Sequence, residues 1–127
     1  MDNLRKTIQV NRGNECEDHL ALKRMAGDFM VRCGFDTVLY EHLCCDVVGS
    51  KSIGSSRRTV GTEIERSSRN LLRNLNRDFA QGCDFVLIVC PTFQSIGEIS
   101  RKLARELPLP LHPKVGIANP TMLQISE

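Results

Sequence analysis

Leu22, Met25, Phe29 and Met30 recur at steps of three and four and predict a helix over about residues 15–33, stopped by Gly34. Glu15, Glu17 and Asp18 crowd its first turn, where acids suit the helix dipole. The fourteen residues before it, 1–14, are polar and without period, and read as a loose arm. Residues 35–48 (FDTVLYEHLCCDVV) are rich in β-branched and aromatic side chains and predict one strand or two short ones. The Gly- and Ser-rich segment 49–56 reads as a flexible turn or loop, and a further strand over about 59–65 completes a hairpin or meander. Leu72, Leu75 and Phe79, with Leu71 beside them, predict an amphipathic helix over 67–81, ended by Gly82. The unbroken apolar run CDFVLIVC is a strand buried on both faces, closed by Pro91. A helix over about 96–107 follows, then a tail alternating Leu and Pro, and KVGIAN as a candidate edge strand.

The order α, β, β, β, α, β, α, with a final β, predicts an α/β (α+β) fold with an αβββαβ core. Its central mixed sheet is flanked by helices, with the antiparallel part first and a βαβ crossover after it. With 127 residues, 41% hydrophobic and 25% charged, residues 15–127 read as a single globular domain. No run of about 18 apolar residues exists, so no membrane partner is expected. The start, MDNLRKTIQV, lacks the apolar core of a secretory signal, and a cytoplasmic protein is the expectation.

The net charge of +2 says little about partners, but its distribution says more. Lys51, Arg57, Arg58, Arg66, Arg69, Arg73 and Arg77 fall within residues 51–77, where the acids are Glu63 and Glu65. On a strand, Glu63 and Glu65 leave the same face with α-carbons roughly 7 Å apart, so they repel unless water or a cation separates them. Asp46, near the end of the preceding extended segment, can add a third carboxylate, and Glu17 on the first helix a fourth. Carboxylates with water and substrate phosphate are what magnesium takes. Arg66, Arg69, Arg73 and Arg77 follow at steps of three, four and four, which is one helical stripe. Such a stripe is either a solvated face or a holder of phosphate, since guanidinium binds phosphate bidentately. Lys51, Arg57 and Arg58 in the loop between the strands are candidates to meet phosphates, or lie on a surface loop.

An acid on the first helix, an Asp closing a strand, a hairpin, and Glu-x-Glu in the next strand resemble the PD-(D/E)XK nuclease superfamily. Asp46-Val47-Val48 resembles its "D" motif, Glu63-Ile64-Glu65 its "(D/E)-x-K" motif, and Glu17 its helical acid. The chain over about 15–92 is also similar to small domains of this kind in mobile-element proteins, in which Glu41 matches an acid ahead of the Asp. The resemblance implies a restriction-endonuclease-like core and magnesium-dependent cleavage of DNA, with manganese as a substitute ion. Asp46, Glu63 and Glu65 would bind metal, Glu17 would support them, and Lys51, Arg57, Arg58 and the four helix arginines would bind nucleic acid. The usual lysine is Glu65 here, and Cys45 stands where proline usually precedes the Asp. A minority of restriction enzymes use Glu-x-Glu. One small domain reaches both strands of a duplex as a homodimer or by successive nicks. The alternative is a module that kept the fold, lost the chemistry, and serves in nucleic-acid binding or assembly.

Six cysteines show no C-x-x-C and no zinc-finger spacing. Buried or incidental reduced thiols are expected, with His42, Cys44, Cys45 and Asp46 as the one cluster where a thiolate metal site is conceivable. There is no Walker loop, nucleophile elbow or dinucleotide glycine pattern. Tyr40 and five Phe are few for a base-stacking platform.

Overall fold

The computed structural model describes residues 5–6 and 17–124. Its elements run β1 (Arg5–Lys6), α1 (Glu17–Arg32), β2 (Thr37–His42), β3 (Cys45–Ile53), β4 (Ser56–Ile64), α2 (Leu71–Ala80), β5 (Phe85–Val89) and α3 (Phe93–Glu106). A 3-10 segment (Leu109–Lys114), β6 (Val115–Ala118) and α4 (Pro120–Gln124) follow. The arm expected over 1–14 lies outside the described residues apart from β1, as does the start of the first helix at 15–16. The strands form one mixed sheet in the order β1-β2-β3-β4-β5-β6. β2, β3 and β4 are antiparallel, whereas β4, β5 and β6 are parallel. The expected α/β architecture therefore stands.

Helix α1 covers one face of the sheet. Leu22, Ala26 and Met30 recur every fourth residue and pack with Val38, Val47, Ile64 and Val89. Leu123 of α4 joins this core, and Arg32 donates to the Leu123 carbonyl. A glycine inside a helix costs about 1 kcal/mol relative to alanine. Gly27 is there because a Cβ at this position would lie 2.0 Å from Tyr40 Oη, so the ring tip of β2 fills the notch. Helices α2 and α3 cover the other face, where Leu71, Leu75, Ile99 and Leu103 pack on Val48, Val86 and Ile88.

Three boundaries differ from the sequence expectation. The segment 49–56 is not a loop. β3 and β4 pair continuously from Val47↔Thr62 to Ile53↔Ser56, and the turn is Gly54-Ser55 alone, with Gly54 at φ 63°. Two-residue hairpin turns need a positive φ, which glycine supplies without strain. The serines and Lys51 around it are simply the solvent-side positions of strands. The second helix starts at Leu71, not at 67. Ser68 is held instead by α3: Glu98 accepts from its amide at 3.0 Å and its hydroxyl at 2.7 Å, and Lys102 donates to its carbonyl at 3.1 Å. Side-chain bonds of this kind compete with helix formation. α3 begins at Phe93, earlier than expected, because Thr92 and Ser95 form a reciprocal capping box.

Candidate functional site

β2 and β3 are joined by Leu43 and Cys44, both at positive φ (52° and 62°), with Glu41 before them at 53°. None is glycine, and such backbone costs of the order of 1 kcal/mol or more per residue. α2 holds the turn in place: Arg77 Nη2 donates to the Cys44 carbonyl at 3.0 Å, and Gln81 reaches Cys44 Sγ at 3.6 Å. The turn delivers Cys45 and Asp46 to the sheet.

Val47↔Thr62 is the last register pair of the β3–β4 ladder at this end. Beyond it, β4 continues beside β5, and the Ile64 amide is satisfied by the Asp46 side chain, whose Oδ2 accepts at 2.8 Å. Asp46 Oδ1 accepts from His19 Nε2 of α1 at 3.2 Å. Asp46, 8% exposed, therefore sits where the two strands part, bonded to both.

Glu63, 6% exposed, faces the α2 side. Arg77 Nη2 donates to its Oε2 at 3.0 Å, and Arg77 also reaches Asp78 Oδ1 at 3.4 Å. Burial, then the hydrogen bond and charge of Asp78, then the charge of Asp46 push Glu63 up to about 10, against a smaller opposing pull from Arg77. Glu63 thus holds a proton at neutral pH when no added cation is present. Glu65 accepts from Asn74 Nδ2 at 2.8 Å. Burial raises it above the usual carboxylate range, the Asn74 bond opposes this, and the charges of Asp46 and Asp78 add to the rise.

Asp46, Glu63 and Glu65 are therefore brought to one end of the sheet, where the charge of Asp46 raises both glutamates. They do not form the tightest cluster. Among the described residues, the acid and thiol ligand atoms that lie within 4.8 Å of one another belong to Cys45, Glu63 and Asp78. The cluster His42, Cys44, Cys45, Asp46 is dispersed: Cys44 is exposed, Cys45 packs inward, and Asp46 turns to α1.

Glu17 is exposed in the first turn of α1. At about 100° per residue it points nearly opposite to His19, so the α1 side chain on Asp46 is His19, not Glu17. Glu41 accepts from Lys23 at 2.5 Å, on the α1 side. Of the expected arginine stripe, Arg73 and Arg77 lie on α2, with Arg66 and Arg69 in the segment before it. Arg66, Arg69 and Arg73 are exposed, whereas Arg77 is turned into the acids. Lys51, Arg57 and Arg58 are at the opposite end of the β3–β4 hairpin. There Lys51↔Arg58 pairs four positions from Val47↔Thr62, roughly 13 Å along the strand. Arg57 is held there by Asp36 at 2.6 Å, and Arg58 lies 3.8 Å from Asp84.

Sequence reasoning missed Asp78, His19 and Lys23. Each had a signal. Asp78 falls three and seven residues after Leu75 and Leu71, on the buried stripe of its helix. His19 and Lys23 precede Gly27 at four-residue steps, a stripe beside Leu22, Ala26 and Met30.

No family model, curated protein or solved structure matches this chain.

Proposed function

We propose that this protein is a magnesium-dependent nuclease that cleaves phosphodiester bonds of DNA at the end of the sheet where β3 and β4 part. One observation carries the reading: Asp46, Glu63 and Glu65 lie at this one end of the sheet, at least half-buried, with the Asp46 charge raising both glutamates. Close carboxylates stay ionised together only with a cation among them. The donor set fits magnesium, which prefers oxygen ligands and needs few from the protein. Asp46, Glu63 and Glu65 would hold the ion, which when bound would polarise a phosphate and acidify a water.

The chain's own residues supply the rest. Glu65, the least buried of the three acids, is placed to take a proton from the attacking water, with Asn74 orienting it. His19 steadies Asp46 from α1, and Arg77 positions Glu63 by a hydrogen bond of 3.0 Å. Exposed Arg66, Arg69 and Arg73 flank the acids and suit backbone phosphates, which fix position without reading bases. Lys51, Arg57 and Arg58 belong to the far end of the hairpin, roughly 13 Å along the strand from the acids.

A second reading, a non-catalytic nucleic-acid-binding module with this fold, is favoured by a specific observation. Asp46 and Glu63 already have His19 and Arg77 as partners. The deciding experiment is cleavage of supercoiled plasmid with magnesium, manganese or chelator, comparing the wild type with Asp46→Asn and Glu63→Gln. Metal-dependent nicking lost in both variants is expected. Absence of cleavage by folded wild type with either metal refutes the enzyme, and retention of DNA by the same samples then selects the module.

A further inference from the structure

Behind the carboxylates, on the α2 side of the sheet, lies a second constellation. Cys45 is fully buried on β3, Glu63 nearly so on β4, and Asp78 is 0% exposed on α2. One ligand atom from each lies within 4.8 Å of the other two. Asp78 is the informative member. Its Oδ1 takes the Arg77 contacts, while its Oδ2 is buried and has no hydrogen-bond partner. An unmade bond at a buried carboxylate costs more than the bond itself contributes, so such an atom calls for an occupant.

We propose that Cys45, Glu63 and Asp78 bind a soft divalent transition-metal ion of the zinc type, at a site distinct from the magnesium position. Thiolate and carboxylate together are a zinc donor set, not a magnesium one. The size is right after a small contraction. Zinc-to-sulfur and zinc-to-oxygen bonds of about 2.3 and 2.1 Å put tetrahedral ligand atoms about 3.5 Å apart. The observed spread is at most 4.8 Å, within about 1.3 Å of that separation.

The charges also close. A Cys45 thiolate with ionised Glu63 and Asp78 carries three negative charges. A divalent ion and the Arg77 guanidinium supply three positive ones, so the filled site is neutral while buried. Cys83 lies beside the thiolate ligand. Its sulfur is the hydrogen-bond neighbour of Cys45, and it stands ready as an outer-shell partner. Gly61 makes room for both: a Cβ there would lie 2.8 Å from Cys45 Sγ and 2.9 Å from Cys83 Sγ.

The two sites share Glu63 and differ in every other ligand. A soft ion that draws Glu63 toward Asp78 takes it from Asp46 and Glu65, so this site would act as an inhibitory one.

The test uses full-length, reduced, metal-free protein titrated with cobalt(II) as an optical probe for zinc. One equivalent is expected to produce a thiolate-to-cobalt charge-transfer band, which zinc then bleaches. Cys45→Ser, close to isosteric and checked by circular dichroism, is expected to abolish the band. Asp78→Asn is expected to weaken binding by at least about 100-fold, the upper end of what losing an outer-shell partner costs. Asp46→Asn is expected to keep the band while losing any magnesium-dependent cleavage, which separates this inference from the nuclease reading. No band in the wild type overturns the proposal. A band that survives in folded Cys45→Ser overturns it too, by placing the ion on another of the thiols.

Discussion

Arg77→Gln tests whether the guanidinium is what lets two acids share this interior. Arg77 meets Glu63 at 3.0 Å and Asp78 at 3.4 Å, and the two carboxylates are 8% and 0% exposed. Because Glu63 holds a proton at neutral pH, the ion pair that counts is with Asp78. Breaking a buried pair from one side costs about 3–5 kcal/mol, because a charge is left without compensation. The Arg77 side chain is 35% exposed, so water screens its end of the pair and the cost falls to about 2 kcal/mol. The lost bond to the Cys44 carbonyl acts in the same direction. In chelator, urea denaturation followed by circular dichroism is expected to show that loss, with a fall of roughly 6–10 °C in Tm. Adding a divalent cation should restore stability to Arg77→Gln by more than it adds to the wild type, since the ion replaces the missing charge. A change under about 0.5 kcal/mol in chelator would refute the reasoning, because it would mean that Asp78 was never relying on Arg77.

Further outcomes follow from the same geometry. In metal-free protein, Glu63 sits at about 10 against an ordinary 4.5, so its contribution to stability is complete below about 4.5 and is lost as pH rises toward about 10. Glu65 is shifted in the same direction, and urea midpoints in chelator should therefore fall between about pH 6 and about pH 9. Glu63→Gln keeps the neutral form and should flatten that profile; an unchanged slope would show that Glu63 is not the group responsible. Gly27→Ala should cost about 3 kcal/mol by urea denaturation, the upper end for overpacking, because the new methyl meets the Tyr40 ring tip at 2.0 Å. Tyr40→Phe alone should change stability little, since the hydroxyl is buried without a partner. Combined with Gly27→Ala it should rescue only partly, because the ring carbon remains 2.6 Å away.

The sheet and its helices were legible because each carries its period openly. Leu22, Ala26 and Met30 give a helix face, and the apolar run before Pro91 gives a strand covered on both sides. Segment 49–56 was misread because Gly and Ser report turn chemistry without its extent. The two-residue turn at Gly54-Ser55 lets both strands run to their tips, and pairing across the ladder overrides weak local preference. The start of α2 was misread because Glu98 and Lys102, thirty or more residues on, claim Ser68. In the candidate site, Asp46, Glu63 and Glu65 were singled out from strand parity and order, and the strand pairing gives their place at one end of the sheet. His19 and Asp78 were not, because an ionisable residue on a buried stripe looks like an interruption of the pattern until its partner on another element is known.

The strand order has a kinetic consequence. Every strand in the sheet lies beside its neighbour in sequence, so no pairing has to wait for a distant segment to arrive. Chains whose contacts are close in sequence close small loops and fold fast for their class. The β2–β3 and β3–β4 connections, two residues each, are the shortest loops in the sheet, and the sheet can grow outward from this meander in both directions. Asp46 and Glu63 stand at the open end of the β3–β4 hairpin. The part of the molecule with the shortest loops is then also the part that carries these two acids.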